Sequence, residues 1–566
     1  MNSGYYKDLP GGYCQTSYCC PIYLIFILLV FGLVSILVYK RTLRYLKYYQ
    51  QEQYITEKFQ SWLIRNWAFD KRISIFLLIG YVLQVYGYTK AAYVVSSIGL
   101  FGLIFLEENS LKVGKLPLNF TDRAKRITIV SLLFTGLIFG MLVGYYPNAS
   151  IFLKYVIAVH YVPFSIMYAN TLLSGFETSI QNKFKNEAIQ ILKRNSPAII
   201  GITGSFGKTS TKSLVGEIFN VAVGPTYYPG SGINSLMGIV RDIRERFQTG
   251  TKFAVIEMGA YKIGSIKNLT EFSPPTAAII TAVGTMHLER FGSRENIYTA
   301  KSELARAVPE DGILVCNGDN AGSKRMAEEF KKRTTLVYGL ADGCESFDVY
   351  AKNISFAEKG SSFDLYVQGR VFENCKTPLL GVPAISNILA AVSLVSAYGG
   401  DINSALGVIA SLKPVRNRLE LEKAGDLYYL HDAYNSNPVG FRSALGVMSD
   451  ISHSLVTNGQ YENSEKIVMT PGMIELGDEQ FQENADIGKE AGDICDYVII
   501  VSDTNKEAIL SGIKRSRINE LKDKERVFVV KTRAEGFALM HRLQQPGSVA
   551  LIENDLPDLY EGKIEF

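Results

Sequence analysis

Pro197-Ala-Ile-Ile-Gly-Ile-Thr203 is a short apolar run of buried-strand character, and it leads into Gly204-Ser-Phe-Gly-Lys-Thr-Ser210. Thr211–Asn220 follows with apolar residues at helical spacing. Strand, glycine turn, Lys-Thr pair and helix, in that order, make a cradle for phosphate. The backbone N–H groups of the turn (Gly204, Ser205, Gly207) and of the helix start (Ser210) face an anion, Lys208 neutralises the outer phosphates, and the Thr209 hydroxyl is placed to ligate Mg²⁺. The generic pattern asks for a glycine at position 202, where this chain has Ile202, so it is only partly met. A strand feeding such a turn belongs to a mostly parallel sheet with helices on both faces, and that central domain is predicted over 182–414.

Upstream of the amphipathic stretch Phe184–Lys193, the apolar residues concentrate before Leu173. Pro21–Tyr39 and Ile127–Tyr146 carry no charge, and each is long enough to cross about 30 Å of hydrocarbon as a helix. Ile73–Leu106 is apolar apart from Lys90, beside the polar break Gly87-Tyr88-Thr89, and reads as two short spans joined by a turn. Ile151–Leu173, interrupted by Lys154, His160 and Asn170, is a fifth. The first region, 1–181, is therefore predicted to be an α-helical transmembrane region with spans at 21–39, 73–88, 91–106, 127–146 and 151–173. Basic residues crowd the loops after the first span (Lys40, Arg41, Arg44, Lys47) and before Ile127 (Lys112, Lys115, Arg123, Lys125, Arg126), which sets both loops in the cytoplasm. Everything after Leu173 is then cytoplasmic, on the side where ATP is available, and the protein is predicted to be a multi-pass protein of the cell membrane.

Composition agrees with this segregation. The 566 residues are 47% hydrophobic and 20% charged, too apolar for a wholly soluble chain and too mixed for one that is membrane throughout. A net charge of +4 over that length gives no footing for nucleic-acid binding. Seven cysteines, three of them gathered at Cys14, Cys19 and Cys20 and none in a Cys-x-x-Cys pair, exclude a disulfide scaffold and a zinc ribbon. Downstream, Asp348–Pro378 reads as an added antiparallel hairpin region, and 415–566 alternates strands (Leu427–Leu430, Lys466–Met469, Tyr497–Val501, Val527–Val530, Val549–Ile552) with helical stretches. It is predicted to be a second, Rossmann-like α/β domain.

Beyond the phosphate loop, a series of stretches follows in order. They are Ile256-Glu-Met-Gly-Ala260, Ile280-Thr-Ala-Val-Gly-Thr-Met-His-Leu-Glu-Arg-Phe-Gly-Ser-Arg-Glu-Asn-Ile297, Ala300-Lys-Ser-Glu303, Asn317-Gly-Asp-Asn320, Asn387 in a small-residue helix, Arg418-Leu-Glu420, Asp432-Ala-Tyr-Asn-Ser-Asn-Pro438 and Pro471-Gly-Met-Ile-Glu-Leu-Gly477. Together with Ile202–Lys212, this series resembles the Mur ligases over more than half the chain. The EMGA, HLERFGS, DAYNSNP and GMIELG stretches are most similar to the MurF branch, which joins D-alanyl-D-alanine to the peptidoglycan precursor.

The resemblance implies an ATP- and Mg²⁺-dependent ligase that activates a carboxylate as an acyl phosphate, which an amine then attacks. Such chemistry rests on positioning and charge stabilisation around the transferred phosphoryl group. It implies that Lys208 is the phosphate lysine, that Thr209, Glu257 and His287 ligate Mg²⁺, and that Lys301 is open to carbamylation. By the same resemblance Asn317 lies near adenine, Asp432 and Asn435 meet ribose and phosphates, and Arg418 helps bring the C-terminal domain onto the nucleotide. Asn437 and Glu475 are site-lining by resemblance, or else a turn residue and a helix cap. The partners implied are ATP, a carboxylate acceptor that is a nucleotide- or lipid-linked wall precursor, an amino acid or dipeptide amine, and the membrane.

The chain departs from the family pattern in three places. Membrane spans stand where the family's uridine-nucleotide domain would be, Pro383 occupies a histidine position before the central domain's last helix, and Glu553-Asn-Asp replaces a Lys-Gly-Ser stretch after the last strand. ATP handling therefore carries over better than the identity of either joined substrate. A poly-γ-glutamate synthase of the Mur-like class, and a catalytically silent membrane scaffold, remain open at this point.

Overall fold

The computed structural model describes residues 21–112, 116–284, 288–340, 343–414, 417–433, 436–474, 476–521 and 525–554. It divides into two compact units that meet in sequence at Ile180 and Gln181.

The first unit is helical. Its elements are α1 (Pro21–Gln51), α2 (Thr56–Arg65), α3 (Arg72–Val85), α4 (Thr89–Leu106), α5 (Asp122–Tyr145) and the start of α6 (Ile151–Asn195). Helices α3 and α4 break at Gly87, whose φ of +85° only glycine adopts readily. Among the described residues, four helices (α1, α4, α5 and α6) are long and apolar enough to cross a membrane. With 14 residues, α3 falls short of a bilayer core at about 1.5 Å per residue.

Two helices outrun the apolar stretches that announced them. α1 continues past Tyr39 to Gln51, and α6 runs unbroken through the stretch read as a separate helix at Phe184–Lys193, because charged residues end an apolar run without ending a helix. The charged extension of α1 is itself buried. Arg41 meets Asp70 at 3.0 Å and Glu107 at 3.2 Å, while Arg44 meets Glu107 at 3.3 Å, tying α1 to the start of α3 and the end of α4.

The second unit contains two sheets. The first follows the order β2-β3-β1-β4-β5-β6-β7-β8-β9. Its elements are β1 (Ala198–Thr203), α7 (Lys208–Ala222), β2 (Thr226–Tyr227), α8 (Leu236–Arg246), β3 (Phe253–Glu257), α9 (Ser265–Phe272), β4 (Ala277–Ile280), α10 (Leu288–Phe291), α11 (Arg294–Ala307), β5 (Ile313–Asn317), α12 (Ala321–Glu329), β6 (Thr334–Gly339), β7 (Val349–Ala357), β8 (Gly360–Val367), β9 (Arg370–Thr377), α13 (Val382–Ala397) and α14 (Ile402–Ile409).

Strands β1 to β7 pair in parallel, and β7-β8-β9 are antiparallel, so the hairpin region extends the main sheet rather than forming one of its own. Side-chain alternation sorts the core into two layers. Ile200, Ile202, Val255 and Ile279 face α7, α13 and α14, whereas Ile199, Ala254, Ile256 and Ile280 face α8, α9, α11 and α12. After β1 the chain crosses to β2 and β3 on one side and then to β4 on the other, and the crevice at such a reversal, outside the strands' carboxyl ends, is where open α/β sheets take ligands.

The second sheet, β10-β11-β15-β12-β13-β14, is parallel except for the β10-β11 pair. It comprises β10 (Glu420–Ala424), β11 (Leu427–Asp432), α15 (Pro438–Thr457), β12 (Lys466–Thr470), α16 (Gln480–Ile494), β13 (Tyr497–Val501), α17 (Lys506–Ile513), β14 (Val527–Val530), α18 (Arg533–Leu543) and β15 (Val549–Glu553). Helices α15, α16 and α17 cover one face and α18 the other. The whole is mixed α/β with mostly parallel sheets behind N-terminal apolar helices, the fold class predicted.

Candidate active site

The loop between β1 and α7 is held from beneath. Gly207 turns it at a φ of +82°, directly before the first helical residue Lys208. Gly204 is required for another reason, since a Cβ there would lie 1.9 Å from Thr281 Oγ1. That hydroxyl donates to Phe206 O at 2.5 Å, and the Ser205 backbone N–H donates to Ala282 O at 2.8 Å. Ser205 Oγ also accepts from the Gly284 N–H at 2.8 Å. Thr281 and the loop after β4 thus shape the cradle, a role that the sequence did not assign to them.

Lys208 donates from Nζ to Gly204 O at 2.7 Å and Ser205 O at 3.2 Å. Burial holds its ammonium below the usual lysine range, against the pull of Glu257 and with the push of Arg418. Lys212, one helical turn on, is fully buried. It donates to Gly230 O at 2.6 Å and lies 3.5 Å from Glu257 Oε2. Thr211 Oγ1 donates to Asn387 Oδ1 at 3.0 Å, which fixes α7 against α13.

Glu257 ends β3, 1% exposed, where its Oε1 accepts from Asn234 Nδ2 at 3.2 Å, while Oε2, 3.5 Å from Lys212 Nζ, has no hydrogen-bond partner among the described residues. Glu257 and Thr209 line the same cavity. A carboxylate and a hydroxyl are the hard oxygen donors that Mg²⁺ takes, so the residues present fit that ion. Among the described residues no group of three or more His, Cys, Asp or Glu is gathered for a metal. His287 and Asn435 lie outside the described residues, as does Glu475.

Lys301 projects from α11 into the cavity, 4% exposed, and burial and then the charge of Lys208 hold its ammonium well below the usual lysine range. Its helix is anchored by Glu303, whose two carboxylate oxygens accept from the Gly264 N–H at 2.5 Å and the Lys267 N–H at 2.8 Å at the start of α9. Asn317, at the end of β5, donates to Thr281 O at 2.9 Å and accepts from the Asp319 N–H at 2.9 Å. Pro383 sits in the first turn of α13, where a missing N–H costs nothing, and lines the cavity too.

The second sheet supplies the opposite wall. Arg418 Nη1 donates to Ser210 Oγ at 3.3 Å. Asp432, at the end of β11, accepts the Leu419 N–H at 3.3 Å. Asn437 caps α15 by accepting the Gly440 N–H at 3.0 Å. These residues, the phosphate loop, Glu257, Lys301 and Asn317 all border one cavity of about 400 Å³. Sequence reasoning did not single out Lys212, Thr281, Asn387 or Glu303 for any role, although each stands inside or beside a stretch it quoted.

Comparison with known proteins agrees with this geometry. Residues 202–395 match the Mur ligase middle domain. The UDP-N-acetylmuramoyl-tripeptide–D-alanyl-D-alanine ligase of Mycobacterium bovis is 30% identical over 373 residues, covering 63% of this chain and 70% of that protein. The enzyme of the same name from Bacillus subtilis is 30% identical over 282 residues, covering 50% of this chain and 57% of that protein. Among solved structures, MurF from Acinetobacter baumannii superposes with a TM-score of 0.57 at 25% identity, covering 67% of this chain and 78% of its own. MurF from Thermotoga maritima in complex with ADP shares the fold with a TM-score of 0.56 at 21% identity, covering 68% and 82%. The chain belongs to the Mur ligase family, as a MurF-like, ATP-dependent ligase.

Proposed function

We propose that the protein is a membrane-anchored ligase that uses ATP to activate a carboxylate of a cell-wall precursor as an acyl phosphate and joins it to the amine of an amino acid or dipeptide. The observation that carries this reading is the single cavity bordered by the phosphate loop, Glu257 and Lys301 on one wall and by Arg418 and Asp432 on the other. A reaction that must move a phosphoryl group and keep the acyl phosphate from water needs its parts on two facing walls. The relatives' names supply the first substrates to try, UDP-N-acetylmuramoyl-tripeptide and D-alanyl-D-alanine.

In this reading the loop amides and Lys208 hold the phosphates, and Lys208 leaves the carbonyls of Gly204 and Ser205 for them. Mg²⁺, held by Thr209, Glu257 and His287, would supply charge neutralisation at the transferring group. Arg418 bridges the walls over the nucleotide, with Asn317, Asp432 and Asn435 toward adenine and ribose. Lys301 would orient the acceptor as a carbamate. Its depressed basicity favours this, because the neutral amine is the form that reacts with CO₂.

Anchoring is supported by the four long apolar helices and by the residues they turn outward, among them Leu24, Ile25, Leu28, Ile98, Phe105 and Leu133. The basic loops between them favour a cytoplasmic position for the ligase domains. The decisive experiment measures phosphate release from ATP by the detergent-purified chain, with and without the muramoyl tripeptide and with D-alanyl-D-alanine or L-glutamate, beside Lys208→Ala. Release that needs both an acceptor and an amine, and that is lost in the variant, supports the reading. Release with glutamate alone, yielding polymer, replaces it with a polyglutamate synthase, and no release with any combination leaves a scaffold.

A further inference from the structure

Helix α2 ends at Arg65 in a turn of the kind that usually takes glycine. The Trp67 N–H donates to Ile64 O at 3.1 Å and the Ala68 N–H to Leu63 O at 3.0 Å, so Trp67 holds the left-handed position that closes such a helix, at a φ of +46°. A bulky side chain is strained there and glycine is not. Little packing offsets the strain, since Trp67 is 72% exposed and its ring meets only the edge of Phe69, at 6.4 Å between centroids. Ile64, three residues earlier, is 66% exposed. The apolar face of α2 is taken up by α1, where Trp62 stacks on Tyr48 at 4.6 Å and Phe59 meets Tyr49 at 4.9 Å.

The depth of this turn follows from its contacts with α1. The charge-free run of α1 ends at Tyr39. Arg41 meets Asp70 at 3.0 Å, and the Tyr45 hydroxyl donates to Ala68 O at 2.8 Å. At about 1.5 Å per residue these contacts lie about 3 and 9 Å beyond Tyr39 along the helix, and lipid headgroups add about 5–7 Å beyond the hydrocarbon. The turn is thus level with the headgroups, the depth at which tryptophan gathers in membrane proteins. Arg65 and Lys71 flank it, both exposed, and α3 continues with exposed Ile75, Leu78 and Ile79. Asp70, the acid within the turn, is buried against Arg41, and Glu57 stands in the first turn of α2, at its far end. The surface from Ile64 to Lys71 is therefore apolar, aromatic and cationic, the complement of a phosphate-rich interface.

We propose that Ile64 to Lys71 is a docking surface for anionic phospholipid headgroups, with the Trp67 ring seated among them and Arg65 and Lys71 on their phosphates. This assignment rests on the membrane reading above and deepens it by naming the lipid class that the helical unit binds at its cytoplasmic side. It also accounts for a tryptophan where glycine is easier, because the bilayer supplies the contacts that the protein does not.

The chain has two tryptophans, Trp62 and Trp67, which makes the test direct. The full chain is placed in nanodiscs of phosphatidylcholine, alone or mixed with phosphatidylglycerol, with one lipid or the other brominated high on its acyl chains. Bromine quenches tryptophan on contact, and acrylamide quenches it from the water. Trp62→Phe reports Trp67 alone, and Trp67→Phe reports the buried Trp62. Bromine is expected to quench wild type and Trp62→Phe and to leave Trp67→Phe bright. At equal bromine content, brominated phosphatidylglycerol should quench Trp62→Phe about twofold or more beyond brominated phosphatidylcholine, an excess that Arg65→Gln with Lys71→Gln removes. If Trp62→Phe misfolds, the difference between wild type and Trp67→Phe carries the same signal. Trp67 emission that acrylamide quenches and bromine does not overturns the proposal and leaves the surface to a protein partner. Bromine quenching without preference for the anionic lipid overturns it as well. A chain that stays soluble without detergent and enters no disc removes the membrane reading itself, and the docking surface with it.

Discussion

Arg418 and Ser210, 208 residues apart in sequence, are joined by a hydrogen bond of 3.3 Å from the guanidinium Nη1 to the hydroxyl oxygen. This contact seats the segment before β10 on the first turn of α7. It fastens the two walls of the cavity at the level of Lys208 and Thr209. Arg418→Ala should therefore raise the KM for ATP about tenfold, the worth of about 1.5–3 kcal/mol for a charge-assisted hydrogen bond, with a smaller rise for Ser210→Ala. Steady-state phosphate release checks this. Equal KM values for Arg418→Ala and wild type would remove Arg418 from nucleotide binding.

Gly204 and Thr281 exclude each other's side chains. A Cβ at 204 falls 1.9 Å from the Thr281 hydroxyl, so Gly204→Ala should cost about 1–3 kcal/mol of stability through overpacking and should displace the loop. Thr281→Ala in the Gly204→Ala background should recover part of that loss, a non-additive pair in a double-mutant cycle followed by thermal unfolding. Simple additivity would mean that the loop, and not the threonine, gives way.

Lys301 is the lysine of the site most depressed by burial, and a carbamate is the proposed working form. Enzyme stripped of CO₂ should lose activity and regain it with bicarbonate. Isotope-labelled bicarbonate should give a carbamate signal in wild type and none in Lys301→Arg. Because arginine keeps the charge but cannot take CO₂, Lys301→Arg should fall by about 10²-fold or more in turnover. Full activity in that variant would assign Lys301 a packing role.

The Asp432–Glu553 pair makes stability depend on pH. Asp432 binds its proton up to about 7 in the fold, against an ordinary value of 3.8, so the folded state holds more protons than the unfolded state between those values. Stability from this group is present below about pH 4 and is lost as pH rises through about 7. Glu553, which burial and the Asp432 charge hold well above the usual carboxylate range, adds a decline of the same sign, so Glu553→Gln should make the total decline shallower. Thermal unfolding of the full chain at several pH values in the absence of nucleotide reads this directly, and parallel curves for variant and wild type would show the pair to be uncoupled.

The phosphate loop was legible because everything that shapes it locally, an apolar strand, glycines at the turn and a Lys-Thr pair, lies within a dozen residues. Glu257 and Lys301 came from motif order, and the structure sets both on the cavity wall. Thr281 was not legible, because its role comes from two backbone carbonyls and a glycine brought to it by the pairing of β1 with β4. Glu303 escaped for the same reason, since its partners Gly264 and Lys267 belong to another helix. In the helical unit, hydropathy located the apolar stretches but not the helix ends. Buried Arg41 and Arg44 prolong α1, and only their partners Asp70 and Glu107, from distant segments, make that burial tolerable. The antiparallel strands after Asp348 were read correctly as a hairpin region, but nothing local says that β7 pairs with β6 and so widens the main sheet.

The bidentate grip of Glu303 on the first turn of α9 bears on motion. Two short bonds from one carboxylate, at the positive end of a helix, bind α11 and α9 into one stiff piece, so the helix carrying Lys301 cannot drift from its neighbour without breaking both. The middle-domain wall therefore breathes least at the lysine. Slow opening of the cavity falls to the other wall, where Arg418 reaches Ser210 at 3.3 Å. Hydrogen exchange should accordingly find the backbone amides of Gly264 and Lys267 well protected, with faster exchange around Leu419.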